Sequence, residues 1–87
     1  MKLLESNDQL ELDKIYKLSI ISNQKQINKG YEAEVVAIVL DSDPYYTRSI
    51  IINTILTNNN KYWNTGRDHF NINVMKVRGY DIFFQEL

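Results

Sequence analysis

The 87-residue chain predicts a small all-β fold, a five-stranded meander or half-closed barrel of the SH3-like or OB-like kind, and three observations carry that expectation. Several short segments alternate apolar with polar residues, the period of two that a half-buried strand requires. Those segments are crowded with β-branched and aromatic residues, which fit a pleated surface better than a helix. Turn residues fall between them: Asp41-Ser42-Asp43-Pro44, Asn64-Thr65-Gly66, and Gly79 after Arg78. The competing expectation is an α+β domain of order ββαββ, and it depends wholly on residues 44–57.

Taken in order, KIYKLSIIS at 14–22 sets Tyr16, Leu18 and Ile20 against Lys17 and Ser19, a half-buried strand. YEAEVVAIVL at 31–40 begins with Glu32 and Glu34 on one face and is then apolar on both faces from Val35 to Leu40. It reads as a central strand covered on two sides, with Val35, Ile38 and Val39 in the core. The third segment, 45–56, is ambiguous. Asp43 followed by Pro44 is a sound helix start, and Ile51, Ile52, Ile55 and Leu56 would share one helical face. Nearly every residue from Tyr45 to Thr57 is nevertheless aromatic or β-branched, which favours a strand paired with 35–40 through a turn at 41–44. FNINVMKV at 70–77 places Phe70, Ile72 and Val74 on one side, and YDIFFQEL follows after Gly79 with a strand at 80–86. Those two read as a hairpin with Gly79 at positive φ.

The length allows one domain, 1–87, with a net stability of a few kcal/mol, about what a core this small supplies. The absence of Cys removes disulfides, thiolate catalysis and Cys-based zinc sites, and fits a reducing compartment. The first residues, MKLLESNDQL, have too short an apolar run for a signal peptide. No run approaches the roughly 18 apolar residues of a membrane helix, so the expectation is a soluble cytoplasmic protein with no membrane partner. The formal net charge of −1 is distributed in alternating blocks: −3 over 1–13, +4 over 14–31, −4 over 32–43, +4 over 44–79 and −2 over 80–87. Oppositely charged neighbouring strands that pair across a sheet explain such blocks without any ligand. Asn, Ile and Lys are abundant, a bias of AT-rich genomes. The short, Asn-rich composition is like that of many phage accessory proteins, a similarity that covers no diagnostic residue and points to no family.

The chemistry is mostly exclusion. One His, His69, and no Cys make a His or Cys metal site untenable, and Gly30, Gly66 and Gly79 are too widely spaced for a dinucleotide or phosphate loop. Asp41-Ser42-Asp43 starts like a calcium loop, but Tyr46 and Ile52 stand where Gly and Glu belong. Glu32 and Glu34 resemble a carboxylate pair for acid and base work, yet a strand entering from solvent carries such a pair for solvation alone. His69 and Asp68 are adjacent and so point to opposite faces of a strand. The expectation is a non-enzyme with no cofactor and no metal.

Binding is the class that remains. Residues 57–71 hold the only Trp and the only His within a connection, 58–69, that is long for a small β domain. The predicted partner-binding residues are Tyr46, Arg48, Tyr62, Trp63 and Arg67, with Tyr45 and Phe70 nearby. Trp, Tyr and Arg are the residue types enriched at protein interface hot spots, so the first expectation is a protein-binding module, an adaptor or inhibitor of a larger complex. The alternative is a single-stranded nucleic-acid-binding barrel, in which the aromatic rings stack on bases while the cations follow phosphates; the acidic balance of the whole chain counts against it. An edge strand offers a route to a homo-oligomer. In the 57–71 stretch, Asn58 to Asn60 read as a flexible shoulder and Gly66 as a positive-φ turn residue that sets Trp63 and Arg67 on either side of a narrow tip. Trp63 then either anchors a partner together with Arg67, or folds back to cap the open end of the barrel.

Overall fold

A computed structural model describes residues 1–42 and 49–87. The described residues form one antiparallel sheet of six strands: β1 (Lys2–Leu3), β2 (Ile15–Ser22), β3 (Ala33–Ser42), β4 (Ser49–Thr57), β5 (Gly66–Asn71) and β6 (Tyr80–Glu86), with a single short helix, α1 (Ile72–Val77), between β5 and β6. In space the order is β1-β6-β2-β3-β4-β5. Strands β2 to β5 are the expected meander; β6 then returns to the far side of β2. The chain is thus a small all-β fold whose sheet is not closed, with β1 and β5 at its two edges.

The sheet is curled. Laid flat, β5 and β6 would stand four strand spacings apart, about 19 Å. The strands instead wrap around one inner face, which carries alternate residues: Tyr16, Leu18 and Ile20 on β2, Val35, Ala37 and Val39 on β3, Ile50 and Ile52 on β4, and Tyr80 and Ile82 on β6, all buried. Ile72 and Met75 of α1 close the gap from one side, and Leu4 and Leu10 of the N-terminal segment cover another part of the same cluster.

Four expectations change. First, 70–77 is not a strand. The strand begins earlier, at Gly66, and ends at Asn71, whose side-chain oxygen accepts the Val74 N–H at 2.9 Å and caps the helix. The period that matters beyond it is helical, because Ile72 and Met75, three apart, are the buried pair. Second, β5 and β6 are not a hairpin. β6 pairs with β2 over Tyr80 to Glu86 and with β1 at Phe83 and Phe84, although Gly79 does supply the positive φ, 92°, that ends the helix. Third, Ser49–Thr57 is a strand, which removes the ββαββ alternative. It pairs with β3 as expected, over 50–57; the turn expected at 41–44 falls partly within residues 43–48, outside the described residues. Fourth, β3 is covered on one face only: Val35 and Val39 are buried, whereas Ile38 lies on the opposite, outer face and is half-buried.

The alternating charge blocks do meet across strands. Lys17 of β2 reaches Glu34 of β3 at 3.4 Å, and Lys14, just ahead of β2, reaches Glu86 of β6 at 3.1 Å and Glu11 at 3.4 Å. These are exposed pairs and stabilise little. No helix among the described residues is long and apolar enough to cross a membrane.

Candidate functional site

Three of the predicted binding residues, Tyr62, Trp63 and Arg67, lie around the 58–65 connection. Asn58 and Asn59 are not a flexible shoulder: they stitch that connection to the start of β3. The Asn58 side-chain oxygen accepts the Glu34 N–H at 2.8 Å, and the Asn59 side-chain amide donates to the carbonyls of Gly30 and Glu32 at 2.6 and 2.9 Å. Trp63 then turns inward. Its indole N–H donates to the Tyr31 carbonyl at 3.0 Å, and its ring stands 5.0 Å from Tyr31 and 5.7 Å from Phe70. Tyr31 in turn lies 5.0 Å from Tyr80, whose hydroxyl donates to the Asn28 carbonyl at 2.7 Å. Phe70, Trp63, Tyr31 and Tyr80 form a continuous aromatic chain from β5 to β6, across the seam that backbone pairing leaves open. Burial raises the Tyr31 phenol above its ordinary value, against the opposing pull of Arg78.

Tyr62 is the outer layer of this plug. Its ring, 5.5 Å from Tyr31, is 38% exposed and carries the Lys61 ammonium 5.2 Å from its centroid. Hydrogen bonds from the Asn28 and Lys61 side chains hold its phenol below the usual range. Arg67 follows Gly66, which has the expected positive φ, 109°. It is exposed and sits opposite Asn53, on the face of the sheet away from Phe70. Trp63 and Arg67 are therefore on opposite sides of the sheet, not two halves of one anchor. Tyr45, Tyr46 and Arg48 lie outside the described residues.

The outer face of the sheet is a second candidate surface. Antiparallel sheets with one solvated face normally alternate apolar-in with polar-out. Here the outward positions of the central strands are Ile15, Lys17, Ser19 and Ile21 on β2, Glu34, Val36, Ile38, Leu40 and Asp41 on β3, and Ile51, Asn53, Ile55 and Leu56 on β4. The β3–β4 ladder contains two irregularities, and both add aliphatic surface. Val39 pairs with Ile52 and Asp41 with Ile51, which leaves Leu40 as an extra residue; Val36 pairs with Leu56 and Ala37 with Thr54, which leaves Ile55 as another. Leu40, Ile55 and Leu56 are 37%, 44% and 63% exposed. Bulges re-aim side chains and are over-represented next to functional surfaces. Exposed Ile15, Leu40, Ile55 and Leu56 lie on this face with half-buried Val36, Ile38 and Ile51, and contiguous exposed aliphatic surface of this kind is a feature of interaction sites. Its charges balance: Lys17 is paired with Glu34, Arg67 stands at the β5 corner, and Asp81 stands opposite Ile21 at the β6 corner. The sequence signal for this face is the continuous apolar run from Val35 to Leu40, which calls for cover but does not say that the same chain supplies it.

The acid and base candidates are occupied structurally. The Glu32 carboxylate accepts the Ser22 N–H at 2.9 Å, which holds its pKa below the ordinary value, and Glu34 is paired with Lys17. The Asp68 carboxylate accepts the backbone N–H of His69 at 2.8 Å. Among the described residues no group of His, Asp and Glu is arranged to hold a metal ion. A cleft of about 540 Å³ lies between the N-terminal segment and β6, floored by Tyr16 and Phe84 with ring centroids 6.0 Å apart. Glu11 and Glu86 on its walls are both paired with Lys14. Comparisons of the chain with protein-family models, with curated proteins and with solved structures find no match.

Proposed function

We propose that the protein is a non-enzymatic, cytoplasmic protein-binding module, an adaptor or inhibitor that docks another polypeptide on the outer face of its sheet. The observation that carries this reading is the aliphatic surface of the β3–β4 ladder, where Leu40 and Ile55 are exposed at the two bulges beside Ile38 and Leu56. Leaving those four aliphatic side chains in water forgoes burial worth about 25 cal/mol per Å², and a partner with an aliphatic surface recovers it. The face suits a protein better than a nucleic acid. Non-specific nucleic-acid affinity needs uncompensated cations, and on this face Lys17 is neutralised by Glu34. Among the described residues, the candidate rings Trp63 and Phe70 pack into the plug, with Tyr62 at its rim.

Affinity capture from cells, with and without nuclease, tests the reading when the wild type is compared with Leu56→Asp. The expected outcome is a polypeptide partner, the chain's own copies included, retained through nuclease treatment and lost on Leu56→Asp. Material lost to nuclease and indifferent to Leu56→Asp would replace this reading with the nucleic-acid one.

A further inference from the structure

We infer that the end of the sheet where the aromatic plug sits binds single-stranded nucleic acid, with Lys25, Lys29, Lys61 and Arg78 on the phosphates and one base stacked on Tyr62. This surface is separate from the outer face, and the inference stands or falls independently of the protein-binding reading. Three observations carry it.

The first is that the topology sorts charge into two ends. The 23–32 connection, the 58–65 connection and the end of α1 meet at one of them: Asn59 donates to the carbonyls of Gly30 and Glu32, the Asn23 N–H donates to the Gly79 carbonyl at 2.8 Å, and the side chains of Gln24 and Ile27 lie against Gly79. Together with the first residues of the strands that follow, the stretches 23–32, 58–68 and 76–81 hold six Lys or Arg and three Asp or Glu, a balance of +3. The opposite end, built from 7–14 with Asp41 and Glu86, holds five acids and one Lys, a balance of −4. Strand β2 runs between the two ends with eight residues, which span about 23 Å. That is nearly three times the Debye length of about 8 Å at physiological ionic strength. A polyanion at the loop end therefore meets the local balance, and the formal net charge of −1 does not describe what it meets.

The second is that the cations of this end are uncompensated. Lys25, Lys29, Lys61 and Arg78 are all exposed, and none of the ion pairs between described side chains includes them. The carboxylate within the 23–32 connection, Glu32, accepts the Ser22 N–H. Uncompensated Lys and Arg are what phosphate binding requires, because each phosphate they neutralise releases condensed counterions.

The third is a ring presented among those cations. Tyr62 is 38% exposed, its ring stands 5.5 Å from Tyr31, and the Asn28 side chain hydrogen-bonds its phenol. Tyr31 is itself held between Trp63 and Tyr80, so the outer ring has a fixed support. The Lys61 ammonium lies 5.2 Å from the Tyr62 centroid; a base that stacks there moves this flexible cation aside and leaves it next to the phosphate of the same nucleotide. Asn60 and Asn64, on either side, are exposed and bring amide donors and acceptors to base edges. Stacking needs an unpaired base with a free face, which selects a single strand over a duplex. An acidic polypeptide would meet the cations and leave the ring without a role.

Fluorescence anisotropy of the full chain with a labelled oligothymidylate of about ten nucleotides, within the range of known site sizes, tests the inference. The expected dissociation constant is about 10⁻⁶ to 10⁻⁴ M, and log K should fall with log salt at a slope of about −3 for four phosphates on a single strand. Lys25→Glu combined with Lys61→Glu should weaken binding at least about tenfold and bring the slope to about −1.5. Tyr62→Ala should weaken it about tenfold with the slope unchanged, whereas Tyr62→Phe keeps the stacking face and should stay within about twofold of the parent. Asp8→Lys at the far end shifts the net charge as much as one reversal does, yet should change the affinity by less than about twofold through screening. All these positions are exposed, and far-UV circular dichroism verifies that each variant is folded. Absence of binding at about 1 mM protein overturns the inference. An affinity that rises with Asp8→Lys as much as it falls with a loop-end reversal reports net charge alone and overturns the site. Polyglutamate or duplex DNA bound as tightly as the oligothymidylate, with Tyr62→Ala indistinguishable from the parent, overturns the single strand as the ligand. Capture from cells that yields only nuclease-sensitive material supports this inference while removing the protein-binding reading.

Discussion

The two faces of strand β4 are built from the same residue type and meet opposite fates. Ile50 and Ile52 point inward and are 0% and 2% exposed; Ile55, on the same strand beyond a bulge, is 44% exposed. Composition does not distinguish them. What does is the curl of the sheet, which closes one face around a core and leaves the other convex and uncovered. An apolar run in a sequence states that a surface needs cover; it does not say whether the same chain supplies it.

The largest expected effect sharpens this contrast. Ile50→Ala empties a site with no solvent access and should lower stability by about 2–5 kcal/mol. Ile55→Ala, measured in the Leu56→Asp background so that association does not contribute, should change it by less than about 1 kcal/mol, since surface truncations usually cost little. Urea unfolding of the two variants is the measurement. Equal losses would mean that the outer face is covered within the chain, and the contrast between the faces would disappear.

A smaller effect separates the aromatic plug from the residue beyond it. Trp63→Ala removes the ring that links Tyr31 to Phe70 and leaves the Tyr31 carbonyl without its indole donor; a loss of about 2–3 kcal/mol is expected for a half-buried Trp with one hydrogen bond. Arg67→Ala should stay within roughly 0.5 kcal/mol of the parent. Thermal melts decide between capping and anchoring: a Trp63→Ala variant as stable as the parent would return Trp63 to the candidate binding residues.

Strands β2, β3 and β6 were legible because their alternation is local: Tyr16, Leu18 and Ile20 announce an inward face whatever they pack on. The strand character of 49–57 was legible for the same reason, through β-branched density. The helix at 72–77 was not, since Phe70, Ile72 and Val74 mimic a period of two, and only the Asn71 side chain closing on the Val74 N–H reveals where the period changes. The pairing of β6 with β2 was hidden because it depends on loop closure across the whole chain. For the candidate site, the sequence marks Trp63 as the sole Trp but leaves both its roles open, partner anchor or cap; its indole N–H on the Tyr31 carbonyl and its place between Tyr31 and Phe70 are long-range contacts that no local pattern announces. The outer face was hidden by the bulges: a single extra residue in one strand changes which side chains face solvent, and no local composition marks where it falls.

The smallest effect concerns Glu32, at the junction of the aromatic plug with β2, and it appears only as a pH dependence. Its carboxylate accepts the Ser22 N–H, and that hydrogen bond is the main reason its pKa lies below the ordinary value; the residue is still partly open to solvent, so the contribution is modest. A group whose folded pKa is lowered binds a proton less readily when folded, so its contribution is present at neutral pH and is lost as the pH falls from the ordinary carboxylate range through the folded pKa. Glu32→Gln has no proton to bind at that position. It should therefore melt slightly below the wild type at pH 7 and lose less stability than the wild type between pH 6 and pH 3, so that the two melting curves converge in acid. If the two proteins lose stability in parallel across that range, the Ser22 hydrogen bond does not depend on the charge of Glu32, and the tie between β2 and the start of β3 is held by the Asn58 and Asn59 contacts alone.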